Sequence, residues 1–304
     1  MGHSTIIEHA LNNFQVRDNQ LVVCGKTIGE WADQKGTPLY LYDFSVVRRQ
    51  VALFREYIPQ NIKLYYAAKA NPNKDILKEL CRIVDGVDVA SAGELKAVLN
   101  AGGKYDTISF AGPGKSVMEI EYAISANIGS INIESSRELE LISQEAKRQN
   151  KRPKVSLRIN PAFELHGSGL RMGGGSKQFG IDEENIPGVL DQIKNYQVDF
   201  QGFHIYTGSQ NLDVDAIADV MTQSLKLCFN LAGKDAESIR LLNLGGGLGI
   251  PYFKNDNPLD IAKLGQRLAE LMNKYQPLFP NADFIIELGR SEERRVGKEC
   301  RSRW

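Results

Sequence analysis

The sequence predicts an α/β fold in which eight parallel strands close into a (β/α)8, or TIM, barrel. Short runs rich in β-branched and aromatic residues alternate with longer segments of helical period, and this alternation repeats eight times after residue 60. Most of the runs are continuously apolar, which is typical of strands covered on both faces. Eight strand–helix repeats are the number that closes a barrel, and an open doubly wound sheet is the alternative architecture.

The predicted strands follow one another at regular intervals. In chain order they are 63–71, 86–91, 107–113, 130–135, 154–160, 199–209, 241–249 and 284–290. The helical segment after the fourth strand starts with a capping-box pattern, in which Ser135 is the candidate N-cap and Glu138 follows three residues later.

Both ends of the chain lie outside this repeat. Residues 1–45 contain strand-like pieces and a turn, and we interpret them as the N-terminal segment of a second, β-rich domain that precedes a barrel at 46–290. The last stretch, 291–304, has no helical apolar stripe that could cover the eighth strand. We therefore expect 291–304 to be a non-native tail and a C-terminal β-domain to be missing.

The composition favours a globular protein and disfavours several classes of partner. Lys+Arg and Asp+Glu both number 37, so no net field attracts nucleic acid or an anionic membrane. No segment approaches the roughly 18 apolar residues of a membrane span, and the N-terminus has no secretory signal pattern. The cysteines, which lie far apart without a CxxC pair, predict reduced thiols in a cytoplasmic protein. They are Cys24, Cys81, Cys228 and Cys300.

Ionisable side chains gather at the predicted carboxyl ends of the strands, where barrel enzymes build their active sites. The first strand ends on Lys69, and an amine beside apolar walls can lose its proton and form a Schiff base. A solvated lysine at a strand end is the alternative. The other rim positions are Asp88, Ser91, Glu134, Arg158, Asn160, His204, Tyr206, Ser209, Gly245, Gly246, Gly247, Glu287, Gly289 and Arg290.

The segment NLGGGLG at 243–249 predicts an anion site. Three consecutive glycines let backbone N–H groups approach a phosphate closely, and barrels commonly bind phosphate after the seventh strand. A tight turn that needs positive φ is the alternative. In ELGR at 287–290, Gly289 and Arg290 would lie near the same phosphate. A lysine, a phosphate cradle and the Glu287 carboxylate together suggest pyridoxal 5'-phosphate, because a protonated pyridine ring stabilises a carbanion at Cα.

Eight segments that carry these positions match one family in its own order. They are YYAAKANPN, GVDVASAGEL, INIESSREL, LRINP, QFGI, GFHIYTGSQ, LNLGGGLGIPY and ELGRS, and they run from 65 to 291. The sequence resembles the fold type III pyridoxal-phosphate decarboxylases, the family of diaminopimelate, ornithine and arginine decarboxylases. The resemblance implies an alanine racemase-like barrel and pyridoxal 5'-phosphate as the cofactor.

The resemblance also implies a role for each matched position. Lys69 is the Schiff-base lysine, Glu287 pairs with the pyridine nitrogen, and burial beside Tyr65, Tyr66 and the ring is expected to lower the pKa of Lys69. The phosphate is held by Ser209 and the three glycines, and Asp88 supports the cofactor region. The full set of implied cofactor-binding residues is Lys69, Asp88, His204, Tyr206, Ser209, Gly245, Gly246, Gly247, Glu287, Gly289 and Arg290; no metal ligands are implied.

Three departures from the family pattern stand out. Tyr206 takes the place of the histidine that stacks on the cofactor ring, with His204 two residues earlier. Leu288 replaces the usual proline after the glutamate. The glycine-rich loop 163–180 is similar to that of a branch whose members include enzymes acting on carrier-bound amino acids, and we expect its His166 to be exposed.

The function implied by the resemblance is decarboxylation of an amino acid, either diaminopimelate-like or carrier-bound. A racemase and a non-catalytic pyridoxal-phosphate-binding protein remain alternatives, as does an aldolase barrel with Lys69 on the substrate. Racemases of this fold favour arginine at the pyridine nitrogen, so Glu287 argues against the racemase. The family's homodimer builds each site with residues of the C-terminal domain, so we expect the chain as given to turn over weakly or not at all.

Overall fold

The structure is a computed structural model that describes residues 14–163, 170–171, 178–251 and 256–289. Strands and helices alternate through these ranges as the sequence predicts. In chain order the strands are β1 (Gln15–Arg17), β2 (Gln20–Val23), β3 (Lys26–Thr27), β4 (Ile62–Ala67), β5 (Gly86–Val89), β6 (Ile108–Phe110), β7 (Ser130–Ile133), β8 (Lys154–Asn160), β9 (Leu170–Arg171), β10 (Ile181–Asp182), β11 (Asp199–Ile205), β12 (Gly208–Ser209), β13 (Leu241–Asn243) and β14 (Asp283–Leu288). The helices are α1 (Ile28–Lys35), α2 (Phe44–Tyr57), α3 (Lys74–Ile83), α4 (Ala92–Asn100), α5 (Val117–Ala126), α6 (Ser136–Arg148), α7 (Ile186–Ile193), α8 (Val214–Ala232) and α9 (Ile261–Tyr275).

Eight of the strands form one closed parallel barrel. Around it the order is β4, β5, β6, β7, β8, β11, β13 and β14. The ring closes because β14 pairs in parallel with β4, which sets Glu287 opposite Tyr65. This closure excludes the open-sheet alternative and confirms the predicted (β/α)8 fold. Each of the eight predicted runs contains one barrel strand, but four of these strands end well before the predicted position, at Ala67, Phe110, Ile205 and Asn243.

A small antiparallel sheet precedes the barrel, as predicted for the N-terminal segment. It has the order β1-β2-β3 and leads directly into α1. Thr27 and Glu30 form a reciprocal capping box at the start of α1, and the indole N–H of Trp31 donates to the carbonyl of Val23 at 2.8 Å. The indole contact fixes α1 against β2.

The two faces of the barrel strands differ in chemistry. On β14, Phe284, Ile286 and Leu288 belong to the hydrophobic core beneath the helices, whereas Glu287 lies on the opposite, inward face. The inward positions of the other strands are also mostly polar. Members of this inward set that bond to one another include Asp88, Ser109, Ser130, Asn132 and Ser156. The apolar core therefore stabilises the barrel from outside, while its interior holds polar groups.

Helix caps turn the chain at the carboxyl ends of the strands. Ser91, a predicted rim residue, caps α4 by accepting from the Glu94 N–H at 3.2 Å. Ser135 caps α6 as predicted, but the Glu138 carboxylate does not return to the cap. It accepts instead from the Glu134 N–H at 2.7 Å, so the capping box predicted there is only half formed.

The cysteines within the described residues are free thiols. Cys24 is exposed, Cys81 is half-buried and Cys228 is buried. Cys300 lies outside the described residues, and the cytoplasmic location stays a prediction. Across the ranges that the structure covers, no helix is both long enough and apolar enough to cross a membrane.

Two helical glycines provide a matched test of the packing of α9. A Cβ on Gly265 would lie 2.1 Å from the Tyr57 carbonyl oxygen of α2, whereas one on Gly188 in α7 would meet no atom within 4 Å. We expect Gly265→Ala to lower the free energy of unfolding by about 1–3 kcal/mol through overpacking. Gly188→Ala should raise it by up to about 1 kcal/mol through helix propensity. Denaturant unfolding measures both, and equal effects of the two variants would contradict the close packing of α9 on α2.

Candidate active site

A cavity of about 610 Å³ lies at the carboxyl ends of the barrel strands. It is the end of the barrel at which the sequence places the site. The predicted positions that line it are Lys69, His204, Tyr206, Ser209, Gly247, Glu287 and Gly289. Asp88, Gly245 and Gly246 lie behind this lining, and Arg290 and His166 lie outside the described residues.

Lys69 enters the cavity because the chain makes one 3-10 turn, Ala68–Ala70, directly after β4. Beyond the turn, Asn73 caps α3 by accepting from the Asp75 N–H at 2.9 Å. The Lys69 side chain is exposed to the cavity, and Ala67 and Ala70 line the wall beside it. The first strand therefore ends on a cation that faces an enclosed site.

The expectation that burial lowers the pKa of Lys69 is wrong for this structure. Burial does act in that direction, but the carboxylates of Asp88 and Glu287 outweigh it, and the pKa of Lys69 is raised. Neither Tyr65 nor Tyr66 is among the main causes of this shift. Tyr65 lines a second cavity with Asp283, at the other end of β4, and the Tyr66 hydroxyl donates to the Asn71 carbonyl. Lys69 is consequently an ammonium at neutral pH.

Asp88 lies beneath the cavity on β5, the strand next to β4. One of its oxygens, Oδ1, accepts from the Ser109 hydroxyl at 2.7 Å. The other, Oδ2, has no hydrogen-bond partner within the described part of the chain. Burial raises the pKa of Asp88, and the Lys69 ammonium opposes that shift. Asp88 therefore serves as the buried counter-charge of the lysine.

Glu287 is the second buried carboxyl group of the site. Its Oε1 accepts from the Asn243 side-chain amide, and the Nε2 of His204 lies 3.8 Å from the same oxygen. Burial, followed by the negative charge of Asp88, raises the pKa of Glu287 to about 8. Because only one ammonium lies near the two carboxyl groups, the site disfavours two negative charges, and Glu287 holds its proton more strongly than an ordinary glutamic acid does.

Two uncharged rings follow one another at the end of β11. Neither ring nitrogen of buried His204 has a hydrogen-bond partner among the described residues. Burial and the cations Arg158 and Lys69 hold the pKa of His204 well below its usual value, so the imidazole is neutral. The ring of Tyr206 packs on Gly245, where a Cβ would lie 2.8 Å from Cδ2, and burial raises the pKa of its phenol.

The glycine segment after β13 has features of both alternatives that the sequence leaves open, a tight turn with positive φ and an anion site. Gly245 and Gly247 have φ of 67° and 85°, so the turn does require left-handed backbone. A Cβ on Gly246 would lie 1.8 Å from the Glu287 carbonyl oxygen, which no side chain could tolerate. Of the three glycines, only Gly247 lines the cavity, beside Ser209 and Gly289. Gly245 and Gly246 shape the turn against β14, and their roles in phosphate binding stay predictions.

A second ion pair crosses the opposite wall of the cavity. Glu134 accepts from Arg158 at 3.0 Å and from the backbone N–H groups of Gly112 and Gly180. The guanidinium of Arg158 lies 4.9 Å from the centroid of the Phe179 ring. The sequence places Glu134 and Arg158 on the rim without a role, and it marks Phe179 only as part of the matched segment QFGI. These contacts join the ends of β7 and β8 to the last residues of the glycine-rich loop.

Comparison with known protein families decides the identity of the barrel. The family model described as "Pyridoxal-dependent decarboxylase, pyridoxal binding domain" matches residues 44–292. The chain belongs to this family. Its cofactor is pyridoxal 5'-phosphate, as predicted.

Several relatives of this decarboxylase family are similar over most of the chain. The L-glutamyl-[BtrI acyl-carrier protein] decarboxylase of Niallia circulans is 37% identical over 84% of this chain and 60% of that protein. The diaminopimelate decarboxylase of Aquifex aeolicus is 30% identical over 91% of this chain and 65% of that protein. A crystal structure of diaminopimelate decarboxylase from M. jannaschii has a TM-score of 0.86 at 28% identity, with 95% and 69% covered. The chain thus spans less than two thirds of the length of the two curated relatives.

The side chains of the site fit the chemistry of the family's cofactor. An aldehyde needs an amine, which Lys69 presents, and a pyridine nitrogen needs an acidic partner, which Glu287 presents. The phosphate needs hydroxyl and backbone N–H donors without bulky neighbours, as Ser209, Gly247 and Gly289 provide. No cluster of three or more potential metal ligands occurs within the ranges described.

The proton on Glu287 has a consequence for stability that can be measured. The folded protein holds it up to about pH 8, whereas the unfolded chain releases it near the ordinary value of 4.5. Between these values the folded state binds more protons, so the free energy of unfolding falls as pH rises, by up to about 1.4 kcal/mol per pH unit from this group. We expect Glu287→Gln to flatten this fall in denaturant unfolding measured from pH 5 to 8. Glu56→Gln, on the exposed face of α2, is the control, and identical pH profiles for all three proteins would contradict the assignment.

Proposed function

We propose that the protein decarboxylates an amino acid with pyridoxal 5'-phosphate held on Lys69. The observation that carries the proposal is the pairing of a lysine amine and a buried glutamic acid across one cavity. When bound, the cofactor supplies an electron sink for the pair of electrons left at Cα after the bond to the carboxylate breaks and CO₂ leaves. A proton then takes the place of the carboxylate.

Glu287 favours decarboxylation over the alternatives that the sequence leaves open. A carboxyl group beside the ring nitrogen keeps that nitrogen protonated, because the two share one proton in a buried ion pair. A protonated ring is the stronger electron sink, and loss of CO₂ needs a strong sink. In an aldolase barrel Lys69 would bind the substrate directly, without a cofactor ring, and this mechanism would leave the buried Glu287 without a function.

In this proposal the phosphate end of the cofactor lies against Ser209, Gly247 and Gly289. Ser209 would donate its hydroxyl, and Gly247 and Gly289 would allow close approach of their N–H groups. Arg290 follows Gly289 in sequence and is kept in the proposal as a phosphate or substrate ligand. Support comes from the shared cavity lining of Ser209, Gly247 and Gly289 and from the family match, which spans all four positions.

For the substrate we propose an amino acid that is carrier-bound or diaminopimelate-like. Support for the first comes from the 37% identity to the L-glutamyl-[BtrI acyl-carrier protein] decarboxylase, and support for the second from the diaminopimelate decarboxylases at about 30%. We also propose a cytoplasmic homodimer, in keeping with the family resemblance.

The proposed attachment of the cofactor to Lys69 is tested with the variant Lys69→Ala. The control is a variant of Lys63, a lysine on β4, the strand that precedes Lys69. Addition of pyridoxal 5'-phosphate to the parent should produce a new near-visible absorption band, and borohydride reduction should fix the cofactor to the peptide that contains Lys69. Lys69→Ala should lose both signals, because no other described lysine presents its amine freely to the cavity. Lys63→Ala, on β4 but at the far end of the barrel, should keep them. Reduction that labels the Lys69→Ala variant to the parent's extent would overturn the assignment.

Decarboxylation is tested by release of labelled CO₂ from carboxyl-labelled substrates. Diaminopimelate and glutamate loaded on an acyl carrier protein are the first two. Because the chain spans 60% of the carrier-dependent relative, the assay uses both the chain and a fusion with that relative's remaining C-terminal part. We expect CO₂ release from the fusion, weak or no release from the chain alone, and none from the fusion that carries Lys69→Ala. Exchange of the Cα proton without CO₂ would support a racemase, and a cofactor-loaded fusion without either reaction would support a non-catalytic binding protein.

A further inference from the structure

Asn243 connects two parts of the site. It is the last residue of β13, and only 2% of it is exposed. Its side-chain Oδ1 accepts from the Gly245 N–H at 2.9 Å, and its Nδ2 donates to Glu287 Oε1. A reversed amide would set its NH₂ group against the Gly245 N–H, so the contact to the turn fixes the orientation in which Nδ2 donates to Glu287.

These contacts belong to a closed ring of three hydrogen bonds. The Glu287 N–H donates to the Gly245 carbonyl at 2.8 Å. The Gly245 N–H donates to Asn243, and Asn243 donates back to the Glu287 side chain. Both the backbone and the carboxyl group of Glu287 are therefore held by the segment that forms the glycine turn.

We propose that Asn243 is a positioning residue that aims Glu287 at the ring nitrogen of the cofactor and couples that aim to the glycine turn. The inference rests on the proposed function, because it assigns a task within the same site. Oε1 of Glu287 is occupied by Asn243, which leaves Oε2 as the oxygen for the ring N–H. Motion of the turn on phosphate binding would be transmitted to the carboxyl group through the same ring of bonds.

The amide suits this place because it donates without adding charge. Asp88 and Glu287 already put two carboxyl groups beside the single Lys69 ammonium. A third carboxylate at position 243 would have to share a proton with Glu287. An amide gives Glu287 a permanent donor, which favours the ionised form that pairs with a ring cation.

Two substitutions separate the contact to Glu287 from the contact to the turn. Asn243→Asp preserves the acceptor for the Gly245 N–H and removes the donor to Glu287. Asn243→Ala removes both. Asn132→Asp and Asn132→Ala are the matched controls, because Asn132 is an equally buried inward residue on β7. Its Oδ1 accepts from Ser156, and its side chain bonds no residue that lines the cavity.

The readouts are the cofactor Kd as a function of pH and the NMR shift of an isotopic label at the ring nitrogen, which reports its protonation. In Asn243→Ala we expect the ring nitrogen to lose its proton at lower pH than in the parent and Kd to rise by about tenfold to a hundredfold. In Asn243→Asp we expect Kd to rise at high pH, where the donor to Glu287 is lost and two ionised carboxyl groups repel each other, and to recover as pH falls, because the introduced carboxyl group donates again once it is protonated. The Asn132 variants should retain the parent's ring titration.

The outcomes separate this inference from the proposed function. A parent chain that binds the cofactor with a protonated ring nitrogen, together with Asn243 variants that titrate like it, overturns the role of Asn243 alone. A parent chain that does not hold the cofactor on Lys69 overturns the proposed function and this inference with it. If Asn243→Ala does not fold, the test relies on Asn243→Asp, because this variant retains the side-chain volume and the bond to the turn. A cofactor Kd that does not change with pH in Asn243→Asp would then overturn the inference.

Discussion

The site depends on a charge imbalance between one ammonium and two carboxyl groups. Lys69, Asp88 and Glu287 come from the neighbouring strands β4, β5 and β14, and the two carboxyl groups are buried. Both carboxyl groups cannot ionise cheaply beside one cation, so the pKa of Glu287 is raised. The second cation nearby, Arg158, is already paired with Glu134. A ligand whose ring nitrogen carries a positive charge would supply the missing partner, and pyridoxal 5'-phosphate is such a ligand.

Closure of the barrel is what creates this cluster. Lys69 and Glu287 lie more than 200 positions apart in the chain, and only the pairing of β14 with β4 makes their strands neighbours. The outward face of each strand packs into the hydrophobic core, so the inward face is free to hold polar groups without a loss of core packing. Several of those inward groups bond to one another, as the Ser109–Asp88 and Asn243–Glu287 bonds show, while Asp88 Oδ2 and the His204 ring nitrogens have no partner among the described residues. The outward faces of the barrel strands therefore provide stability, and the inward faces carry the polar groups of the site.

The strands and the rim could be predicted because they rest on local signals. Apolar runs and helical periods lie within a few residues of one another, and the fold rule places functional groups at strand ends. The direction of the Lys69 pKa could not be predicted, because it depends on how the charges of Asp88 and then Glu287 balance burial in the folded barrel. The sequence also could not show that Gly246 packs on the Glu287 backbone while Gly247 faces the cavity. Asn243 carried no signal of its own, since a lone amide at a strand end has no pattern that marks its two partners.

Tyr206 is consistent with the same charge constraint. A histidine at this position would face the Lys69 and Arg158 cations that already keep neighbouring His204 neutral, so burial and repulsion would hold it neutral as well. Tyrosine presents an aromatic face of similar use, and its phenol stays protonated because burial raises its pKa. The exchange therefore leaves the charge of the site at neutral pH unchanged and removes one group that could titrate. The titratable groups Lys69, Asp88 and Glu287 are then the ones whose charges are coupled to one another at this end of the barrel.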